Sequence, residues 1–119
     1  MGELSAKTET EVNAIMTELI NRIHPVFGNK LKKVILFGSY ARGDFDNESD
    51  IDVMVMVDEE DSTLGGYSDF LTDILVDIDL KYDVVVAAIL QSEKKFVKYQ
   101  YAIPFYDNVA RQGVVMYEQ

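Results

Sequence analysis

Residues 31 to 57 read LKKVILFGSYARGDFDNESDIDVMVMV: two apolar runs joined by a polar connection, with Gly38-Ser39 closing the first run and Asp50 and Asp52 opening the second. The density of Val, Ile, Leu and Phe in LKKVILF makes residues 31 to 37 a strand. In DIDVMVMV, residues 50 to 57, the two-residue pleat places Ile51, Val53, Val55 and Val57 on one face. Asp50, Asp52, Met54 and Met56 fall on the other, which begins acidic and turns apolar, so the two methionines read as core filler.

Outward from this pair, Val12, Ile15, Met16, Leu19, Ile20 and Ile23 recur at helical spacing, predicting an amphipathic helix over residues 10 to 23 with Pro25 as its stop. On the other side an acidic loop, DEEDSTLGG, precedes the stripe Phe70, Leu71, Ile74, Leu75 and Ile78, a second helix over residues 67 to 80. YDVVVAAI, residues 82 to 89, reads as a third, buried-type strand with Asp83 near its start. Ser92 can cap a helix over residues 93 to 101, Pro104 and Gly113 bracket another, and VVMY, residues 114 to 117, closes as a short strand. The short connection between strands 1 and 2 argues for an α+β fold, a mixed sheet with helices packed mainly on one face.

A length of 119 residues fits a single domain over 1–119, and 48% hydrophobic with 27% charged residues is an ordinary globular composition. The absence of cysteine excludes disulfides, thiolate metal sites and a cysteine nucleophile. Eleven Lys and Arg against 21 Asp and Glu give a net charge of −10, which repels phosphate polymers, so no nucleic-acid partner is expected. No signal peptide and no membrane span is legible, and a cytoplasmic protein, with homo-oligomers possible, is the expectation.

Three strands thus each carry something polar near one end. Asp50 and Asp52, at i and i+2, point the same way with Cα atoms roughly 6.5–7 Å apart, and Asp83 on a neighbouring strand completes a carboxylate cluster. Three gathered carboxylates repel unless cations compensate, and hard divalent ions, Mg²⁺ above all, do that best. Carboxylate-bound Mg²⁺ retains waters and is completed by substrate phosphates, which points to phosphoryl or nucleotidyl transfer. Gly38 lets the backbone approach a phosphate and Ser39 supplies a hydroxyl.

The stretch GSYARGDFDNESDID, residues 38 to 52, resembles the signature of the DNA polymerase beta-like nucleotidyltransferases: Gly-Ser, ten residues, Asp-x-Asp. Ala41-Arg42-Gly43, Ser49 before the aspartate pair, Asp83 in YDVV and the closing NVARQGVVMYE are similar to the minimal nucleotidyltransferases (MNT) of prokaryotes. The resemblance implies that Gly38 and Ser39 bind the β- and γ-phosphates of a nucleoside triphosphate. It implies that Asp50, Asp52 and Asp83 are the catalytic and metal residues, holding two Mg²⁺ ions, with Asp83 also helping to deprotonate an acceptor hydroxyl. Minimal domains of this type commonly pair with a helical HEPN-type partner as antitoxin to toxin, and some transfer AMP from ATP to a tyrosine of that partner. The same resemblance leaves open a non-catalytic binding antitoxin, or transfer to a small molecule such as an aminoglycoside.

An EF-hand is excluded, although Asp44, Asp46, Glu48, Asp50 and Asp52 alternate, because Ser49 replaces the required Gly and Val55 the bidentate Glu. Arg42 either touches a phosphate or pairs with Asp44 or Asp46. Asp69, Asp73 and Asp77 share a helix face that is solvated or meets a basic partner, and Lys94, Lys95 and Lys98 read as a solvated face. His24 reads as a capping or surface residue.

Overall fold

The structure, a computed structural model, describes residues 7 to 119. Helix α1 (Glu9–Phe27) opens with a reciprocal cap. The Glu11 N–H donates to Thr8 Oγ1 at 3.1 Å and the Thr8 N–H donates to Glu11 Oε1 at 3.0 Å. Strand β1 (Leu31–Phe37) runs into a five-residue helix α2 (Gly38–Arg42), and strand β2 (Ile51–Val57) follows. The acidic segment contains the short helix α3 (Asp61–Leu64) and leads into α4 (Ser68–Tyr82). Strand β3 (Val86–Ser92), helices α5 (Glu93–Tyr99) and α6 (Pro104–Gln112), and strand β4 (Val114–Glu118) complete the order.

The four strands form one mixed sheet in the order β3-β2-β1-β4. β1 lies antiparallel to β2 and β4, while β2 and β3 run parallel through the α4 crossover. The pleat of β2 sorts its side chains as its sequence predicts. Val53, Val55 and Val57 join Val34 and Leu36 of β1 under the long helices α1 and α4. Met54 and Met56, fully inside, meet Ile35, Phe96, Tyr106 and Val109 in a second, smaller cluster under α5 and α6. The mixed four-stranded sheet with helices is the α+β fold expected, and its helices cover both faces, the two long ones on one side and the two short ones on the other.

Several boundaries differ from the sequence reading. α1 continues two residues past Pro25. A proline in a last turn removes a single donor, and the Gly28 N–H still closes on the His24 carbonyl. The polar connection after β1 begins as a helix, and α5 stops at Tyr99 instead of residue 101. The third strand starts at Val86, not at residue 82. α4 runs on to Tyr82, and pairing with β2 begins at Ile51 opposite Val86. Asp83 therefore caps a helix and does not open a strand.

Candidate active site

The site is built where β1 turns into α2 beside the start of β2. Phe37 pairs with Asp52 across the two strands, so the next residue, Gly38, passes directly over the Asp52 side chain. Gly38 has φ +73°, and a Cβ there would collide with the Asp52 carboxylate. Glycine is thus required twice, by backbone conformation and by the close approach of a carboxylate. Ser39 follows in the first turn of α2, its carbonyl accepting the N–H groups of Gly43 at 2.9 Å and Asp44 at 3.2 Å.

The chain is delivered into Asp50 by a side-chain-stabilised turn. The Asp46 N–H donates to Ser49 Oγ at 2.9 Å, and the Glu48 N–H donates to Asp46 Oδ1 at 2.9 Å. Tyr40 stacks on Phe45, with centroids 4.3 Å apart and planes 7° from parallel, and clamps α2 to this connection. Arg42 Nε lies 3.2 Å from Asp44 Oδ2, the local pairing of the two anticipated. Its charge also reaches Asp52.

Asp52 is half-buried, and its carboxyl is pushed above the usual range first by burial and then by the negative charge of Asp50, with Arg42 opposing. Asp50 is exposed just outside β2, where the following N–H, that of Ile51, donates to the Val85 carbonyl at 2.9 Å. That bond brings the start of β2 against the turn that follows α4. Asp50 and Asp83 consequently line one small cavity together with Tyr40, Glu48 and Ser49.

Asp83 has φ 54° and ψ 57°, a left-handed conformation found at no other non-glycine residue among the described residues. Its turn is organised by Asp79. The Asp83 and Val84 N–H groups both donate to the Asp79 carbonyl, the latter at 3.2 Å, and the Val86 N–H donates to Asp79 Oδ1 at 3.0 Å. Burial raises the Asp79 carboxyl and the charge of Asp50 raises it further, while the Val86 hydrogen bond lowers it. Asp79 was not among the sequence candidates. Its signal was present: it lies four and eight residues after Leu75 and Leu71, on the inward stripe of α4 where a carboxylate is costly.

Asp50 thus acts on both Asp52 and Asp79 through its charge and shares a cavity with Asp83. Among the described residues, no three His, Cys, Asp or Glu side chains stand close enough to hold one metal ion. On the Gly38 side, Phe37, Gly38, Arg42, Phe105, Asn108, Val109 and Gln112 line a cleft of about 220 Å³. A larger cleft of about 370 Å³, between the start of α1 and β4, is floored by Leu36 and so opens on the opposite face of the sheet from Asp52.

The remaining candidates are surface features. His24 is exposed and meets Tyr117 edge-on at 5.9 Å. Asp77 pairs with Arg22 at 3.0 Å, Lys94 with Asp58 at 3.6 Å and Lys95 with Asp61 at 2.9 Å.

The chain has relatives among known proteins. It is 39% identical over 100 residues to "Putative protein adenylyltransferase MJ0604" of Methanocaldococcus jannaschii, covering 84% of this chain and 92% of that one. It is also 39% identical over 104 residues to "Putative protein adenylyltransferase MJ0141" of the same organism, covering 87% and 97%. The fold is similar to a crystal structure described as that of a putative nucleotidyltransferase from Sulfolobus solfataricus (TM-score 0.54, 19% identity, 96% of this chain and 92% of that one). It is equally similar to a toxin-antitoxin structure with AMP-PNP (TM-score 0.54, 19% identity, 90% and 73%). The model of the polymerase beta nucleotidyltransferases matches residues 21–119, and with Gly38 seated on Asp52 inside that span, the chain belongs to this family of nucleotidyl-transferring enzymes.

Proposed function

We propose that this protein transfers AMP from ATP, with Mg²⁺, to a hydroxyl on a partner protein, a tyrosine of a helical HEPN-type toxin that it neutralises. The observation that carries the reading is the packing of Gly38 on the Asp52 carboxylate, which joins the phosphate-binding turn to the acidic strand end. The donor set suits Mg²⁺. Asp52 carries a carboxyl that both burial and the Asp50 charge push toward protonation, so a bound divalent cation would relieve a repulsion already present.

In this reading Asp50, Asp52 and Asp83, which stand apart in the arrangement described above, would draw in around the metal, which when bound supplies charge neutralisation at the entering and leaving oxygens. The Gly38 backbone leaves room for the phosphate tail, and the Ser39 hydroxyl donates to it. Asp83, on the rim of the cavity shared with Asp50, helps take the proton of the acceptor hydroxyl. The acceptor oxygen then bonds to the α-phosphorus in line, and the bond to the bridging oxygen breaks, releasing pyrophosphate. The relatives named as protein adenylyltransferases support AMP and a protein acceptor, and the toxin-antitoxin likeness supports the partner class.

Incubation with labelled ATP, Mg²⁺ and the partner should label the partner, and Asp50→Ala or Asp52→Ala should abolish the label. Labelling that persists in both variants would refute the assignment. Net charge −10 favours a second reading, in which binding of a basic partner alone neutralises it. Neutralisation retained by Asp50→Ala would establish that reading.

A further inference from the structure

We propose that the cleft between the end of β1, α2 and α6 is the seat of the nucleotide's base, and that Asn108 and Gln112 make it select adenine. The inference rests on the nucleotidyl-transfer reading above and adds to it where the base lies and how it is read. Phe37, which lines the cleft, is the strand partner of Asp52, and Gly38, which touches Asp52, lines it too. The cleft therefore opens on the same face of the sheet as Asp52, immediately beside the proposed phosphate turn. On the opposite side of Asp52 lies the cavity of Asp50 and Asp83, proposed to face the acceptor. A base on the α6 side and an acceptor on the β3 side would leave the α-phosphate between them.

The cleft's size and lining suit a flat ring. Its volume of about 220 Å³ is below the roughly 300 Å³ at which drug-sized pockets begin, room for one ring system and not for a whole nucleotide. Phe37 and Phe105 stand edge to face, centroids 5.5 Å apart at 77°, and Phe105 remains 41% exposed, so an aromatic surface is open for stacking. Asn108 and Gln112, at i and i+4 on α6, are both exposed at the mouth. The neighbouring charges on α6 are occupied with each other, since Arg111 grips Asp107 through two hydrogen bonds at 3.1 and 2.5 Å.

A carboxamide offers one donor and one acceptor side by side, the complement of the adenine N6–H and N7 pair. Guanine presents two acceptors, O6 and N7, at that edge and would oppose the amide oxygen. Pyrimidines offer a smaller face to Phe105.

The test is equilibrium binding of ATP, GTP, CTP and UTP with Mg²⁺ to the full chain, with inorganic tripolyphosphate as the probe lacking a base. The expected result is tightest binding of ATP, by about tenfold over the other three. The double variant Asn108→Leu/Gln112→Leu should bring the four nucleotides within about twofold of one another and leave tripolyphosphate unchanged. Phe105→Ala should weaken all four by about tenfold, again sparing tripolyphosphate. All three residues are exposed, and an unchanged melting temperature confirms that each variant is folded. Nucleotide preference and affinity that survive in both variants would overturn the base seat while leaving nucleotidyl transfer standing. A wild-type chain that binds neither nucleotide nor tripolyphosphate would overturn both.

Discussion

Gly38 and Asp52 occupy each other's space, so a change at either is felt at both. Gly38→Ala must hold an L-residue at φ +73° and displace the Asp52 carboxylate, at a cost of about 1–3 kcal/mol with most transfer activity lost. Denaturant unfolding and partner labelling on the same preparation check the two effects. Asp79 acts differently, as an acceptor for the turn that carries Asp83. Asp79→Asn keeps an oxygen for the Val86 N–H and should retain most activity. Asp79→Leu removes it and should lower the labelling rate at saturating ATP with little change in nucleotide affinity. Asp52 and Asp79 both have raised carboxyls, so folding favours their protonated forms. Their stability contribution is complete below the ordinary carboxylate range and is lost as pH rises through the raised values. Without metal, Asp52→Asn should therefore melt a few degrees higher than wild type at neutral pH, a gap that closes on acidification. Glu11 and Glu18 are lowered by Thr8 and Lys81 and act in the opposite sense, which is why the difference between variant and wild type is the quantity to follow. Gly38, Ser39, Asp50, Asp52 and Asp83 are the candidates that spacing and resemblance single out. Asp79 carried a signal as well, a carboxylate on the inward stripe of α4, but its role lies in a backbone turn that spacing does not describe.

At the scale of elements, the same limit recurs. β1 and β2 were legible almost to the residue because Gly38 and the aspartates punctuate them, and the alternation in β2 announced both cores. The end of α4 was not, because LKYDVVV carries no glycine or proline to mark the change from helix to strand, so neither punctuation nor periodicity offers a boundary there. The left-handed Asp83 is that boundary. α6 ends against β1 at Gly113, where a Cβ would strike the Val109 carbonyl and the Ile35 side chain. Gly113 itself sits at φ −70°, so space and not backbone strain is its constraint. Gly113→Ala should thus cost about 1–3 kcal/mol by crowding, read as a lower denaturation midpoint at unchanged slope.

Across the whole molecule, an excess of 21 acidic over 11 basic residues surrounds a site that is itself acidic. Association with a basic partner should accelerate as salt is lowered, by about tenfold or more in the association rate, measured by stopped flow. Among the described residues no helix is long and apolar enough to cross a membrane. The sheet parts the interior into a large cluster beneath α1 and α4 and a small one beneath α5 and α6. Fewer buried contacts mean a lower free energy of local opening, so amide protons of α5 and α6 should exchange with deuterium well ahead of those in α1 and α4. The thinner half is also the half that holds the cleft beside Gly38. A molecule built this way would loosen first around that cleft, while the thicker half holds the scaffold together.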